Sequence, residues 1–369
     1  MALSEYLLAW RTTQLPDREV VDALVDPAYR SPTPRLAREL EQWPGSYYWS
    51  DEPDGRHLVL TRPLTRRRER WVLHVLLFLA TLFTTTFVGA VFDGRMPLDP
   101  NPLALITGTY PLPPGVVHAW VSGFRFSLPL LAILLCHEFG HYLTARRYQL
   151  DVSPPYFIPV PFVPWSIGTM GAFIRLRTIL SDRRQLLDVG IAGPIGGLLV
   201  ALPVLWIGLR LSQPLPGPDV GLLVKMGTDA PYYPIGDSLL TLGLRHLIHG
   251  DAPAVLLDPM GFAGWLGIIV TMYNLLPISQ LDGGHILYAA LPGWHQRVAL
   301  AFWALIVVLG ALWKGWFLWG FLVLLLSRGR LGHPAVLDAQ RPLPRTRRAL
   351  AWVALVLFLI TFAPVPFRI

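Results

Sequence analysis

Residues 128–147 read LPLLAILLCHEFGHYLTARR, an apolar stretch that contains His137, Glu138 and His141 and ends in two arginines. His137 and His141 are four residues apart, so on a helix both imidazoles project from one face. This is the spacing that one tetrahedral zinc ion needs for two of its ligands. Glu138 follows the first histidine and can take a proton from a water that the metal activates, without binding the metal itself.

The position of residues 137–141 within an apolar stretch supports a functional role for them. Ionisable groups in a membrane-spanning stretch cost about 2.5–3.5 kcal/mol each on insertion scales, and such groups are functional by default. The alternative, two ordinary polar histidines on a helix, is therefore disfavoured. The stretch predicts a membrane helix that carries a metal site.

Composition supports a membrane protein. Of the 369 residues, 53% are hydrophobic and 15% are charged, and the mean hydropathy is +0.45. Soluble domains have about 25% charged residues, and a disordered chain would be far less apolar. The net charge of +7 comes from arginines at the ends of apolar runs, which fits the positive-inside rule and not a nucleic-acid partner. The single Cys136 excludes an intrachain disulfide.

Six apolar stretches follow a soluble N-terminal segment of residues 1–71. They lie at 72–92, 120–143, 186–209, 261–291, 300–326 and 349–362. The fifth holds Lys314-Gly315 and could be two short spans, so about six or seven transmembrane helices are expected. The predicted fold class is an α-helical polytopic membrane protein with a re-entrant β element and a small N-terminal soluble α/β segment. We expect a core over 72–291 and C-terminal helices over 292–369.

The distribution of basic residues predicts the orientation. Arginines concentrate at 66–70, 146–184 and 328–348, whereas 93–118 and 210–260 are poor in positive charge. Arginine-rich and arginine-poor segments alternate along the chain if Lys314 lies in a tight turn on the outer side of the membrane. This arrangement gives seven spans and places the end of the chain outside. We expect an integral protein of a bacterial plasma membrane. Its N-terminus is cytoplasmic, and its active site faces the cytoplasmic side.

A third metal ligand is expected in the fourth span, where residues 274–285 read NLLPISQLDGGH. Asp282 is the only carboxylate between Asp258 and Asp338. A carboxylate completes a two-histidine zinc site with an open fourth position. Pro277 predicts a broken helix around a polar cavity. The alternative is that Asp282 caps a helix after a turn.

The two motifs together resemble the site-2 protease family of intramembrane zinc metalloproteases, over roughly residues 72–291. The resemblance implies that His137, His141 and Asp282 bind one zinc ion per chain and that Glu138 is the general base. It also implies that Asn274 positions substrate or stabilises the oxyanion; from the residues alone, a helix–helix hydrogen bond is as plausible. The 210–260 segment is too short for the PDZ domain of some relatives, so the plant-plastid and cyanobacterial branch is the closer likeness.

Two further segments fit the resemblance. Residues 192–197, AGPIGG, resemble a small-residue motif that ends in Asn in many members, and physically they predict close helix packing. Residues 153–176 combine prolines with apolar side chains and then a strand over 168–174. They resemble the family's membrane-embedded β element, whose edge strand could bind an unwound substrate. An amphipathic surface loop is the alternative. His285 is expected to line the cavity.

These residues predict a zinc endopeptidase that hydrolyses a peptide bond in the transmembrane segment of another protein. Its partners are then that substrate and the lipid bilayer. The alternative is a membrane metal transporter that uses the same His137, His141 and Asp282 site. A transporter should carry ionisable residues along several helices, and it gives Glu138 no special role. An inactive scaffold is disfavoured because every expected catalytic group is present.

Overall fold

The chain divides into two units, Met1–Glu69 and Arg70–Ile369, which are described separately. The structure is a computed structural model. The residues it describes are 2–15, 18–29, 33–63, 69–97, 107–110, 113–160, 166–177, 180, 182–228, 231–333, 336 and 342–368. The arginines at 66–68 and the prolines at 161 and 164 lie outside these residues.

The first unit is a four-stranded antiparallel sheet with one helix. Its elements are β1 (Leu7–Gln14), β2 (Arg18–Val25), α1 (Pro34–Glu41), β3 (Tyr47–Glu52) and β4 (Gly55–Pro63), and the strand order is β1-β2-β4-β3. The Thr33 hydroxyl accepts a hydrogen bond from the Leu36 N–H and caps α1. Leu36 and Leu40 on one face of α1 join the core of this unit with Leu58. This unit therefore combines one α-helix with four strands.

The second unit is mostly helical. Its first helices are α2 (Trp71–Phe92), α3 (Val116–Ser122), α4 (Phe124–Arg147) and α5 (Arg183–Leu211). Within the described residues, three stretches are long and apolar enough to cross a membrane, namely Trp71–Phe92, Val116–Arg147 and Arg183–Leu211. The sequence therefore predicts the first three spans at the observed places, although Gly123 separates α3 from α4.

The remaining helices are shorter than a full crossing. They are α6 (Leu239–His249), α7 (Pro259–Asn274), α8 (Asp282–Ala290), α9 (His295–Leu309), α10 (Gly315–Leu326) and α11 (Arg345–Thr361). The fourth predicted span is broken between α7 and α8, in the segment that contains Pro277. The fifth is two helices, α9 and α10, joined by a turn that contains Lys314.

Strands occupy two of the connections. Between α4 and α5, β5 (Tyr156–Pro159) and β6 (Thr169–Phe173) pair antiparallel, with Phe157 opposite Ala172. Between α5 and α7 lie β7 (Gln213–Leu215), β8 (Gly221–Lys225), β9 (Tyr232–Ile235) and β10 (Ala254–Leu256). These four form a mixed sheet of order β7-β10-β8-β9, in a segment that the sequence predicts only as a loop.

Glycines bring the helices around α5 together. A Cβ at Gly140 of α4 would lie 2.2 Å from the Ala192 carbonyl oxygen of α5. Where α5 meets α7, a Cβ at Gly208 of α5 would lie 2.2 Å from the backbone of Gly261 in α7. Only glycine permits such backbone approach, which is typical of membrane helix packing. The sequence thus places α4 and α7 against α5, and this packing positions the site.

Candidate metal centre

Three buried side chains from two helices converge in the second unit. His137 and His141 come from α4, and Asp282 is the first residue of α8. The Nε2 atoms of both histidines lie 3.3 Å from Oδ2 of Asp282, and the two Nε2 atoms are 3.2 Å apart. Tetrahedral zinc with bonds of about 2.0–2.1 Å holds its ligand atoms about 3.3–3.4 Å apart. The spacing of the three atoms fits zinc.

Asp282 supplies a second argument for a cation. Its Oδ2 is buried and makes no hydrogen bond within the part of the chain that the structure describes. A buried carboxylate oxygen without a partner is costly, and a metal ion would remove that cost. The donor set of two imidazoles and one carboxylate is also the one that catalytic zinc sites use.

A hydrogen bond to α5 fixes the ring of His141. Its Nδ1 lies 2.7 Å from the carbonyl oxygen of Val189. Because a carbonyl only accepts, Nδ1 must donate, and the neutral ring then has its lone pair on Nε2. This is the tautomer that binds a metal through Nε2, with the ring orientation set by a carbonyl behind it.

The predicted small-residue motif lies directly beneath the two histidines. A Cβ at Gly193 would lie 2.0 Å from Nε2 of His141, and a Cβ at Gly197 would lie 3.1 Å from Cβ of His137. The motif therefore does pack closely, as the sequence predicts, and it makes room for the ligands themselves. Gly197 contributes space and no polar side chain.

Glu138 and Asn274 lie at the same place. Glu138 is buried near His141 and Asp282, and its carboxylate lies close to the backbone N–H of Ile174, just after β6. Asn274 ends α7, and its Nδ2 lies 3.4 Å from Nε2 of His137. The structure thus brings all five residues singled out from the sequence into one cluster.

The break between α7 and α8 turns the chain so that Asp282 faces α4. A Cβ at Gly283 would lie 2.0 Å from the Leu275 carbonyl oxygen, and one at Gly284 would lie 2.3 Å from that of Ser279. Ser279 also has a φ of 51°, and its N–H donates to the Leu331 carbonyl. The two glycines let α8 start directly against the preceding turn.

The structure adds a histidine pair next to this site. Nδ1 of His285 lies 2.6 Å from Nε2 of His333, and the ring of His333 stacks on Tyr288. The imidazole of His285 is therefore hydrogen-bonded to another histidine. His333 was not foreseen, because it lies 48 residues further along and no local pattern marks it.

A second group of possible ligands lies in the first unit. Glu52, Asp54 and His57 could hold a metal by their spacing, but the two carboxylates are exposed. His57 is instead hydrogen-bonded on both ring nitrogens, to Asp22 at 2.8 Å and to Asp54 at 3.1 Å. We assign no function to this group.

Several known proteins are similar to the chain. The probable zinc metalloprotease EGY1 of Arabidopsis thaliana, a chloroplastic protein, is 31% identical over 307 residues, 80% of this chain and 53% of that protein. The chloroplastic EGY2 of the same plant is 31% identical over 67% of this chain and 42% of its own length. EGY3 of Oryza sativa subsp. japonica is 30% identical over 71% and 46%. The chain spans about half the length of these relatives.

A family model agrees with these relatives. The model of peptidase family M50 matches residues 125–312, from the start of α4 to the turn after α9. This is about half of the chain, and it includes every residue of the candidate metal centre. No solved structure matches the chain. The family match confirms the resemblance carried by the paired motifs, and the chain belongs to peptidase family M50, the site-2 protease family.

Proposed function

We propose that the protein is an intramembrane zinc metalloprotease. It hydrolyses a peptide bond within or near the transmembrane segment of another membrane protein. The observation that carries this proposal is the triangle of His137, His141 and Asp282, with ligand atoms 3.2–3.3 Å apart and Glu138 buried beside it.

His137, His141 and Asp282 would hold the zinc ion. When bound there, zinc supplies Lewis-acid polarisation of a peptide carbonyl and activates water. Glu138 takes the proton of the attacking water and then delivers it to the leaving amine. The backbone N–H of Ile174 lies close to its carboxylate. Asn274 donates an amide N–H to the oxyanion that develops on the attacked carbonyl.

The substrate binds as a strand along β6. A peptide bond in a helix is shielded by its own turns, so the substrate must first unwind. Among the described residues β6 pairs only with β5, and β6 leads directly to Ile174 at Glu138. An extended segment added to this edge would present its backbone to the site. Because the substrate segment lies in the membrane, β5 and β6 form a re-entrant element at the same depth.

The shorter helices also belong to the membrane part. In this arrangement the broken pair α7–α8 crosses once, and α9, α10 and α11 each cross, which gives seven spans. Residues 1–71 are a soluble domain, 72–291 are the protease core and 292–369 are C-terminal membrane helices. The arginine distribution supports a bacterial plasma membrane with the N-terminus and the active site on the cytoplasmic side.

One substitution tests the mechanism. Glu138→Gln keeps the size of the side chain and removes the base. With purified protein in detergent and a model transmembrane substrate, we expect cleavage to fall by about 10²–10⁴-fold. Bound zinc stays at about one per chain, because Glu138 is not a ligand. The matched control is Glu41→Gln, at the exposed end of α1, which leaves both quantities unchanged.

The same measurement separates the alternatives. Cleavage by Glu138→Gln at the wild-type rate would contradict the assignment of the base. Zinc bound by both proteins, with metal flux across vesicles and no cleavage, would favour the transporter. No zinc in either protein would contradict the metal centre.

A further inference from the structure

An apolar groove runs between α8, α9 and α11 and reaches the turn that presents Asp282. Its cavity measures 320 Å³. Leu287 of α8, Phe302 of α9 and Leu355 of α11 are among its walls. Among the described residues that line it, only Arg348 is charged. We call this cavity the α8–α11 groove.

The length of the groove matches one leaflet of a bilayer. On α11 its lining extends from Arg348 to Phe358 through Ala351 and Leu355, at helical spacing. Ten residues of helix rise about 15 Å. The hydrocarbon core of a bilayer is about 30 Å thick, so one leaflet is about half of that. The groove is thus as long as one acyl chain, with a guanidinium at one end.

The charge at that end suits an anionic headgroup. Arg348 is in the first turn of α11, and its Nε donates to the Leu343 carbonyl at 3.1 Å, which holds the guanidinium at the mouth of the groove. Arg345, one turn earlier, is exposed and is not among the residues that line the groove. Basic pockets between membrane helices at an arginine-rich end bind acidic lipid headgroups.

We propose that the α8–α11 groove binds an anionic phospholipid. One acyl chain lies between α8 and α11, and the phosphate contacts Arg348. This inference rests on the proposed placement of α11 in the bilayer and is independent of protease activity. A cavity of 320 Å³ suits a lipid chain better than a substrate helix, whose diameter with side chains is about 10–12 Å.

The position of the groove connects the lipid with the metal centre. Leu275, Pro277 and Gly283 also line it, and they flank the turn that presents Asp282. A chain in the groove would pack against that turn and restrict its movement. We therefore expect the lipid to raise the melting temperature of the intact protein.

Lipid binding to the full-length protein tests the proposal. The protein, purified in detergent, is titrated with dioleoylphosphatidylglycerol or dioleoylphosphatidylcholine, and bound lipid is counted by native mass spectrometry. We expect phosphatidylglycerol to bind more tightly than phosphatidylcholine. Arg348→Gln should weaken phosphatidylglycerol binding by about fivefold, and the matched control Arg345→Gln should change it by less than about twofold. Free glycerol phosphate should not compete, because the acyl chain supplies the burial.

A substitution that fills the groove provides a second test of the proposal. Ala351→Phe should reduce binding of both lipids while zinc content remains about one per chain, which shows that the variant is folded. Equal effects of Arg348→Gln and Arg345→Gln would overturn the proposal, since they would indicate general attraction to a basic surface. Unchanged lipid binding in Ala351→Phe would overturn it as well. Crosslinking of a substrate helix, rather than of lipid, to Leu355 would also overturn the proposal.

Discussion

His141 shows how a neighbouring helix decides whether a histidine can bind metal. Its Nδ1 is held by the Val189 carbonyl and its Nε2 has space only because residue 193 has no side chain. Both contacts come from α5, about 50 residues away in the sequence. The spacing of His137 and His141 could be predicted because it is local. The contacts to Val189 and Gly193 could not, because they depend on how α4 packs against α5.

Gly193→Ala should abolish metal binding. The added methyl group would lie 2.0 Å from Nε2 of His141, and the backbone on both helices leaves it little room. We expect zinc content to drop from about one per chain to well below half, measured by atomic emission on purified protein. The control is Gly243→Ala in α6, where a Cβ meets nothing within 4 Å. Full zinc occupancy in Gly193→Ala would show that the histidine does not bind through Nε2.

His57 should have a pKa above its ordinary value. The hydrogen bond that His57 donates to the Asp22 carboxylate raises the pKa of His57 most. Asp54, which accepts from the other ring nitrogen, raises it further, against the opposing effect of burial. A histidine with a raised folded-state pKa stabilises the fold below its unfolded pKa of about 6.5, and this stabilisation is lost as the pH rises through the folded pKa. The first unit should be less stable above that pH.

NMR titration of the histidine side chains in the full-length protein measures this pKa. The His57 resonance is identified by its loss in His57→Gln. We expect its midpoint above about 6.5 in the wild type and a lower midpoint in Asp22→Asn. A wild-type midpoint below that value, or one that Asp22→Asn leaves in place, would contradict the role of the two carboxylates.

At the scale of elements, a polar contact joins α11 to the core. Arg347 of α11 donates from Nε and from a terminal nitrogen to the Asp188 carboxylate of α5, at 3.3 and 3.1 Å. The Tyr148 hydroxyl, just after α4, donates to the same carboxylate at 2.5 Å. Asp188 thus joins α5 to α11 and to the residue that follows α4. A partner on α11 could not be predicted, since it lies 159 residues away.

Asp188→Asn should therefore destabilise the protein more than removal of Arg347. The Asp188 side chain is 15% exposed and that of Arg347 is 38% exposed. Losing charge-assisted hydrogen bonds at Asp188 should cost about 1.5–3 kcal/mol, and Arg347→Gln should cost about 1 kcal/mol or less. Melting temperatures in detergent check the order, with Arg345→Gln as the control of the same helix turn. Equal melting temperatures for all three variants would show that the contact contributes nothing.

The helices were easier to predict than the strands, for a physical reason. An apolar run of about 20 residues is a strong local signal, and Pro277 marks the break before α8 because it frees a backbone carbonyl. The sheet β7–β10 has strands of three to five residues. Its β8 and β10 pair in parallel across α6, so the pairing is fixed by the tertiary fold and leaves little trace in the local sequence.

At the scale of the whole molecule, the proposed seven spans place the two polar loops on opposite sides. The loop after β7 and the loop after α10 are separated by α7–α8, α9 and α10. In a Cys136→Ser background, Pro218→Cys and Arg330→Cys can be labelled with a membrane-impermeant maleimide. We expect Arg330→Cys to react in inside-out vesicles and Pro218→Cys in right-side-out vesicles. Reaction of both from the same side would mean an even number of crossings between them.

The metal centre has one more consequence, for the chain as a polymer. His141 and Asp282 are 141 positions apart, so an ion bound by both closes a large loop, as a covalent cross-link would. In the chain-entropy model, closing a loop of that length removes about 5 kcal/mol of freedom from the unfolded chain. The single Cys136 offers no disulfide for this purpose. Bound zinc would then also stabilise the folded state. Removing it with a chelator would therefore destabilise the fold as well as stop hydrolysis.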